Sequence, residues 1–298
     1  GVRDVPTEPL MDYARRSIGR DYPIELVTRD NWTVHSLIAD RCREGRVFLA
    51  GDACHLHSPF GGHGMNQGIS DAVDLGWKLS AALQGWASDG LLDSYTIERQ
   101  PAHKAIVQSA TENVASFSDH FFDPDLAKDG PVGQAARRKA AEEVERLKTP
   151  EFRSVGLVLG NYYAGSPAIA AEPGPDREID ISNYVPSARP GHLAPHVWVD
   201  ADTSLYDLFS TGFTLLRLGE AQQRRQSTHA DVARTRGIAM DIVAPGVPGL
   251  EQLYEASYAL VRPDQHIGWR GNTLPAPKAL VGVMTGRGNE KQDFRQSA

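Results

Sequence analysis

Residues 51–68, GDACHLHSPFGGHGMNQG, constrain this chain more than any other stretch of its sequence. Glycines at 51, 61, 62, 64 and 68, a proline at 59 and histidines at 55, 57 and 63 leave no helical or strand period, so a long structured loop is expected. Before it runs GRVFLA, a short apolar segment that reads as a buried strand over Gly45–Ala50. After it the helical period returns: Ile69, Val73, Gly76, Leu79 and Leu83 share one face, with Asp71, Asp74 and Lys78 interspersed, in a helix from Met65 to about Trp86. A strand, a glycine loop and a helix in that order set free backbone N–H groups and a positive helix end beside whatever occupies the loop. Such a place suits an anion or an electron-rich ring edge. Asp52, at the carboxyl end of the strand, would accept hydrogen bonds from the hydroxyls of a ribose or ribityl chain.

Three readings of the loop compete. It is not a dinucleotide fingerprint, because Gly62-His-Gly64-x-x-x-Gly68 misses the G-x-G-x-x-G spacing and lies a dozen residues beyond the strand. Gly286-Arg-Gly288 lacks a third glycine and a following helix, and reads as a flexible end. A metal site, with Asp52, His55, His57 and His63 as ligands and metal-dependent hydrolysis as its activity, fits by residue type. Against it, His103, His120, His192, His196, His229 and His266 are scattered singly and complete no shell. A purely structural turn is the third reading.

Composition narrows the classes. With 298 residues, 41% of them hydrophobic, the chain can bury one sizeable core or two smaller ones. Lys and Arg total 31 against 38 Asp and Glu, a net charge of −7 without a basic stripe, which argues against nucleic acid. No apolar run approaches the roughly 18 residues that span a bilayer. Cys42 and Cys54 form no CxxC and no disulfide framework, so a reducing, cytoplasmic setting is expected. The chain starts at Gly1 in what reads as the middle of a folded unit, and is expected to be part of a longer protein.

Along the chain, Leu10, Ala14 and Ile18 line one face of a helix over 7–18, capped by Thr7 and closed by Gly19 and Pro23. Ile24–Val34 alternates as a strand should, with Trp32 as a core or wall residue. A second helix starts near Leu91 and passes or breaks at Pro101; residues 134–148 read as a solvated helix, and 166–195 as a linker or wrapping segment. Then HVWV, FTLLRL, GIAMDIV and YALVRP arrive as strands, with a helix-like segment at 204–208 and little helical pattern between the second and third. The divisions are 1–40, 41–150, a linker at 151–190, and a small α/β domain at 191–298.

GRVFLAGDACHLHSPFGGHGMNQGISDAVDLGWKL resembles the second flavin-binding motif of the class A flavoprotein aromatic monooxygenases, the family of para-hydroxybenzoate and phenol hydroxylases. LLDSYTIERQP extends the resemblance forward and WTVHSLIADRCREG extends it back; SLYDLFSTGFTLLRL and YALVRPDQHIGWR resemble the thioredoxin-like domain of the phenol hydroxylase branch. The resemblance implies an α/β and α+β fold: the end of a substrate domain over 1–40, part of an FAD-binding Rossmann-like domain, then a small thioredoxin-like domain that here lacks any cysteine pair. It implies FAD as cofactor and NAD(P)H as reductant, held at Gly51, Asp52, Pro59, Gly61, Gly62, Gly64, Met65 and Asn66. Asp52 would meet the ribityl chain, Pro59 would line the cavity at the reactive flavin carbon, and Gly64, Met65 and Asn66 would face the pyrimidine edge; His63 reads as an exposed loop residue, with a tuner of the flavin or substrate as the alternative. The implied activity is hydroxylation of a phenolic or polycyclic aromatic substrate with O2 through a flavin hydroperoxide. Baeyer–Villiger oxygenation and a non-catalytic interaction module stay open beside it. The amino-terminal fingerprint that holds the ADP half of FAD is absent, so self-association or pairing with an amino-terminal half is expected, and no membrane.

Overall fold

The structure is a computed structural model that describes residues 6–20, 22–115, 123–175, 178–219 and 224–288. His120 and the end of the expected last domain, 289–298, lie outside the described residues. The chain divides into two compact units, 1–34 and 35–298.

In the first unit, helix α1 spans Thr7–Ile18 and ends at Gly19, whose φ of 69° is the left-handed conformation that stops a helix. Thr7 is its first helical residue, not its cap, and no residue of α1 is buried. The expected strand at 24–34 does not form, and Trp32 is 71% exposed. Alternation makes a strand only where a neighbouring strand completes its ladder, and among the described residues none pairs with this segment.

The second unit begins with two small antiparallel pairs. Strand β1 (Leu37–Ile38) pairs with β4 (His55–Leu56), and β2 (Arg43–Glu44) folds back on β3 (Val47–Phe48) about Gly45, whose φ is 58°. The buried strand expected over Gly45–Ala50 is therefore a hairpin arm, and Val47 is 64% exposed. Helix α2 (Gly64–Leu83) lies against α3 (Asp89–Ala115), which carries Pro101 without ending there. The face of α2 expected in the core points outward: Ile69, Val73 and Leu83 are 53%, 51% and 88% exposed, while Gln67, Asp71, Asp74, Lys78 and Ala81 are buried. Gln67, Asp71, Asp74 and Lys78 bond one another and Glu98 and Arg99 on α3, so their polar groups leave water with hydrogen-bond partners in hand.

Helix α4 (Gly130–Phe152) is solvated as expected, with Gly133 its one buried residue; the short α5 (Val155–Leu159) follows. Residues 166–175 and 178–195 hold no helix or strand, yet Ala168, Ile169, Ala188 and Ala194 are buried, so this stretch wraps.

A four-stranded sheet with order β6-β5-β7-β8 closes the unit, from β5 (Phe213–Arg217), β6 (Met240–Val243), β7 (Tyr258–Val261) and β8 (Ile267–Gly271). β5 and β6 run parallel through helix α6 (Arg224–Arg234); β7 and β8 are antiparallel additions. Alternation divides the core: Phe213, Leu215 and Leu260 face α6 and α8 (Pro277–Met284), while Leu216, Ala259 and Val261 face α7 (Leu250–Tyr254) and Leu205. HVWV contributes an isolated bridge, Trp198 to Ser204, and no strand. Helix α6 stands where little helical pattern was legible. Gly286 and Gly288 are not a loose end. A Cβ at Gly286 would lie 2.4 Å from the Leu91 nitrogen, and the Gly288 N–H donates to Pro167 O at 2.8 Å, so both glycines permit a close seam with α3 and the wrapping segment.

Candidate functional site

The glycine loop is seated by backbone contact and by one carboxylate. Gly51 (φ 56°) opens a 3-10 turn, Gly51–Ala53, and its Cα lies 3.5 Å from where a Cβ on Gly68 would stand, so the turn packs directly on α2. The Gly51 N–H donates to Asp71 Oδ2 at 3.0 Å. Asp71 also accepts from Arg99 Nε at 2.8 Å and bonds to His103 Nε2 at 2.7 Å and His55 Nε2 at 3.2 Å. Burial pushes the Asp71 carboxyl pKa up, but the histidine bonds and the Arg99 charge outweigh it and hold the group well below the usual carboxylate range. Burial pulls His103 down while its bond to Asp71 raises it further, leaving it above the ordinary histidine value. Arg99 reaches on to Gln67 Oε1 at 2.7 Å and Tyr163 OH at 3.3 Å.

Beyond this anchor the loop turns at Pro59–Gly62, where the Gly62 N–H bonds Pro59 O at 3.0 Å. Gly61 has φ 88°, and a Cβ there would sit 2.8 Å from the His63 ring, so this position admits glycine alone. His63 is not the exposed residue expected: it is 4% exposed, and burial first, then the neighbouring His57, lowers its pKa. Glycine at 61 is what lets the ring fold in. The Nε2 atoms of His57 and His63 are buried with no hydrogen-bond partner among the described residues. Helix α2 then starts at Gly64 with no side chain capping it, so its first-turn N–H groups are open to a ligand. Met65 is 76% exposed, and Asp52, Pro59, Gly62 and Asn66 are exposed too.

The structure thus brings Gly51, Asp52, Pro59, Gly61, Gly62, Gly64, Met65 and Asn66 into one loop and helix start. It corrects the setting of Asp52, which lies on a 3-10 turn and not at the end of a buried strand. The metal reading fails among the described residues: His55 is bound to Asp71 and joins a group with Asp71 and His103, and Asp52, His57 and His63 belong to no ligand cluster. Sequence reasoning missed Asp71, Arg99 and His103. The signal was present as a polar stripe at helical spacing, Gln67, Asp71, Asp74 and Lys78, met by Glu98, Arg99 and His103 on α3.

Comparison with known proteins gives two family matches: residues 8–110 to the FAD binding domain, and 187–286 to the carboxyl-terminal part of the aromatic-ring hydroxylases. The 2,4-dichlorophenol 6-monooxygenase of Cupriavidus pinatubonensis is 33% identical, over 95% of this chain and 54% of its own length. A structure of the rebeccamycin biosynthetic enzyme RebC with reduced flavin superposes with a TM-score of 0.84 at 39% identity, covering 96% of this chain and 54% of that one. The flavin-dependent monooxygenase PieE, in complex with FAD and substrate, gives 0.79 at 28% identity, covering 95% and 55%. The chain spans about half the length of the relatives it matches.

Proposed function

This chain belongs to the FAD-dependent aromatic-ring hydroxylases, and from that premise we propose that residues 51–66 form the flavin-ring side of an FAD site in a monooxygenase acting on a phenolic or polycyclic aromatic substrate with O2 and NAD(P)H. The observation that carries this reading is the uncapped start of α2, seated on Gly51 through Gly68, beside a loop with two buried imidazole nitrogens left without partners. These residues fit the group. Open N–H groups at a helix start match the electron-rich edge of a flavin, and an exposed carboxylate matches a polyol chain. FAD bound there supplies the redox chemistry with nicotinamide and oxygen.

The chain's own residues do the rest. Gly64, Met65 and Asn66 stabilise negative charge at the pyrimidine edge with backbone N–H groups and the helix end. Asp52 accepts from the ribityl hydroxyls; Gly61 and Gly62 allow close backbone approach, and Pro59 lines the substrate side. Asp71 keeps Gly51 and the turn behind it in register. The FAD-binding part is read as 41–150, after the end of a substrate domain at 1–40, with a linker at 151–190. Residues 191–298 are read as a thioredoxin-like domain without a redox pair; the βαβ then ββα order supports this. The exposed Ile69, Val73 and Leu83 support an apolar partner surface, either an amino-terminal half or a second copy.

Flavin titration tests the reading. In a protein that includes the ADP-binding half, Asp52→Ala is expected to weaken FAD binding by about 1–3 kcal/mol with the fold intact. Unchanged FAD affinity in that variant would overturn the assignment of Asp52.

A further inference from the structure

Cys42 and Cys54 take no part in the proposed flavin contacts. They are 0% and 3% exposed, both thiols are free, and their Sγ atoms are 2.8 Å apart. The fold holds them there. The Ala39 N–H donates to Cys54 O at 2.8 Å, continuing the β1–β4 ladder, while the Leu49 N–H donates to Cys42 O at 2.9 Å and the Cys42 N–H reaches Thr96 Oγ1 at 3.3 Å. Ala39, Phe48, Leu49, Leu75 and Tyr95 pack around the pair.

The spacing separates two readings of the cluster that Cys42, Cys54 and His103 form. Thiolates on one tetrahedral zinc, each with a Zn–S bond of about 2.3 Å, stand roughly 3.7 Å apart. A disulfide brings its sulfurs to about 2.05 Å. At 2.8 Å the pair is too close to share a metal and close to bonding distance. We propose that Cys42 and Cys54 are a redox modification site, closing to an intramolecular disulfide when the folded chain meets hydrogen peroxide.

The two sulfurs have different tasks. His103 Nδ1 lies 3.8 Å from Cys54 Sγ, and its Nε2 is fixed on Asp71. The hydrogen bond with Cys42 is the largest cause that lowers the Cys54 thiol; burial opposes it and His103 adds to it. The same contact, with burial, pushes Cys42 up. Cys54, the sulfur that His103 Nδ1 faces, is the nucleophile and Cys42 the resolving thiol. The Cys54 thiolate attacks one peroxide oxygen and the O–O bond breaks. The departing hydroxide takes up a proton to leave as water, and Cys54 becomes a sulfenic acid. Cys42 sulfur then attacks Cys54 sulfur; the S–O bond breaks, the S–S bond forms, and the Cys42 proton leaves with the hydroxyl as a second water. Two thiols lose two electrons and one peroxide gains them. Burial and a partner sulfur 2.8 Å away favour the internal thiol over a foreign one.

The experiment treats the reduced, folded chain with hydrogen peroxide, then counts thiols after unfolding in an alkylating agent and maps the peptides. Both thiols are expected to disappear together, with Cys42 and Cys54 cross-linked within one chain and restored by dithiothreitol. In Cys42→Ser, Cys54 is expected to stop at a dimedone-reactive sulfenic acid; in Cys54→Ser, Cys42 is expected to react at least about tenfold more slowly, as a protonated thiol does. Survival of both thiols under peroxide that oxidises the urea-unfolded chain would overturn the proposal. So would a disulfide between chains, or a stoichiometric zinc released on thiol oxidation.

Discussion

Two buried ionic clusters lie along the same face of α2, each with an arginine on α2 carboxylates, and they do different work. Around Asp71 a single carboxylate collects Arg99, His103, His55 and the Gly51 N–H. One turn on, Arg262 from the β7–β8 turn reaches in to Glu98 at 2.7 Å, Asp74 at 3.2 Å and Asp264 at 3.0 Å, while Lys78 bonds Asp74 at 2.8 Å and Glu98 at 2.5 Å. The first cluster fixes the Gly51 turn of the glycine loop on α2. The second latches the carboxyl-terminal sheet to α2 and α3, with Arg262 over the rings of Trp77 and Tyr163. The comparison teaches that a buried charge network is not by itself a site: what differs is what it holds, the backbone of the glycine loop at Gly51 in one case and the carboxyl-terminal sheet in the other.

The largest effect is expected at the latch. Arg262→Met leaves Glu98 and Asp264 buried with too little positive charge, and is expected to destabilise by about 3–5 kcal/mol in urea unfolding. A loss below about 1 kcal/mol would mean that the latch carries no weight. Asp71→Asn is expected to cost about 2–3 kcal/mol, since several donors lose a charged acceptor. It should also weaken flavin binding in the intact protein more than Arg262→Met does; the reverse order would break the distinction between the clusters.

Acid sharpens the same contrast. Asp71, Glu98 and Asp264 are held below the usual carboxylate range, so the stability they add is complete above the unfolded value of about 4 and is lost as pH falls through their lower folded values. Asp74 runs the other way: burial raises it, its contribution is present below the unfolded value, and it is lost as pH rises through the folded one. Three carboxyls against Lys78 and Arg262 leave one negative charge too many, which a proton on Asp74 removes. Asp74→Asn is therefore the smallest change, expected within about 1 kcal/mol of the parent, with the variant gaining on it as pH rises. Urea melts across pH check both trends, and a variant that loses ground at high pH would refute the proton on Asp74.

Much of the site was legible because it depends on local chemistry. Gly61 and Gly62 read as loop positions, and they adopt positive φ; the helix reads from Met65, one residue inside its start at Gly64. His63 was misread because its burial depends on the missing Cβ at Gly61, a contact between neighbours that spacing does not reveal. The apolar face of α2 was misread for the opposite reason. Periodicity finds the stripe Ile69, Val73 and Leu83, but which stripe goes inside depends on what lies opposite, and α3 presents Glu98, Arg99 and His103.

By itself the sequence determined the loop, the helix after it, the short apolar strands β5 and β7, and the family resemblance, because glycine, proline and local apolar runs act over a few residues. Only the tertiary structure decided that Ile24–Val34 stays out of a sheet, that Gly286 and Gly288 seal a seam, and that Arg262, more than 160 residues from Glu98, completes its charge. Pairing, close approach and charge balance are properties of two segments together, and neither segment carries them alone.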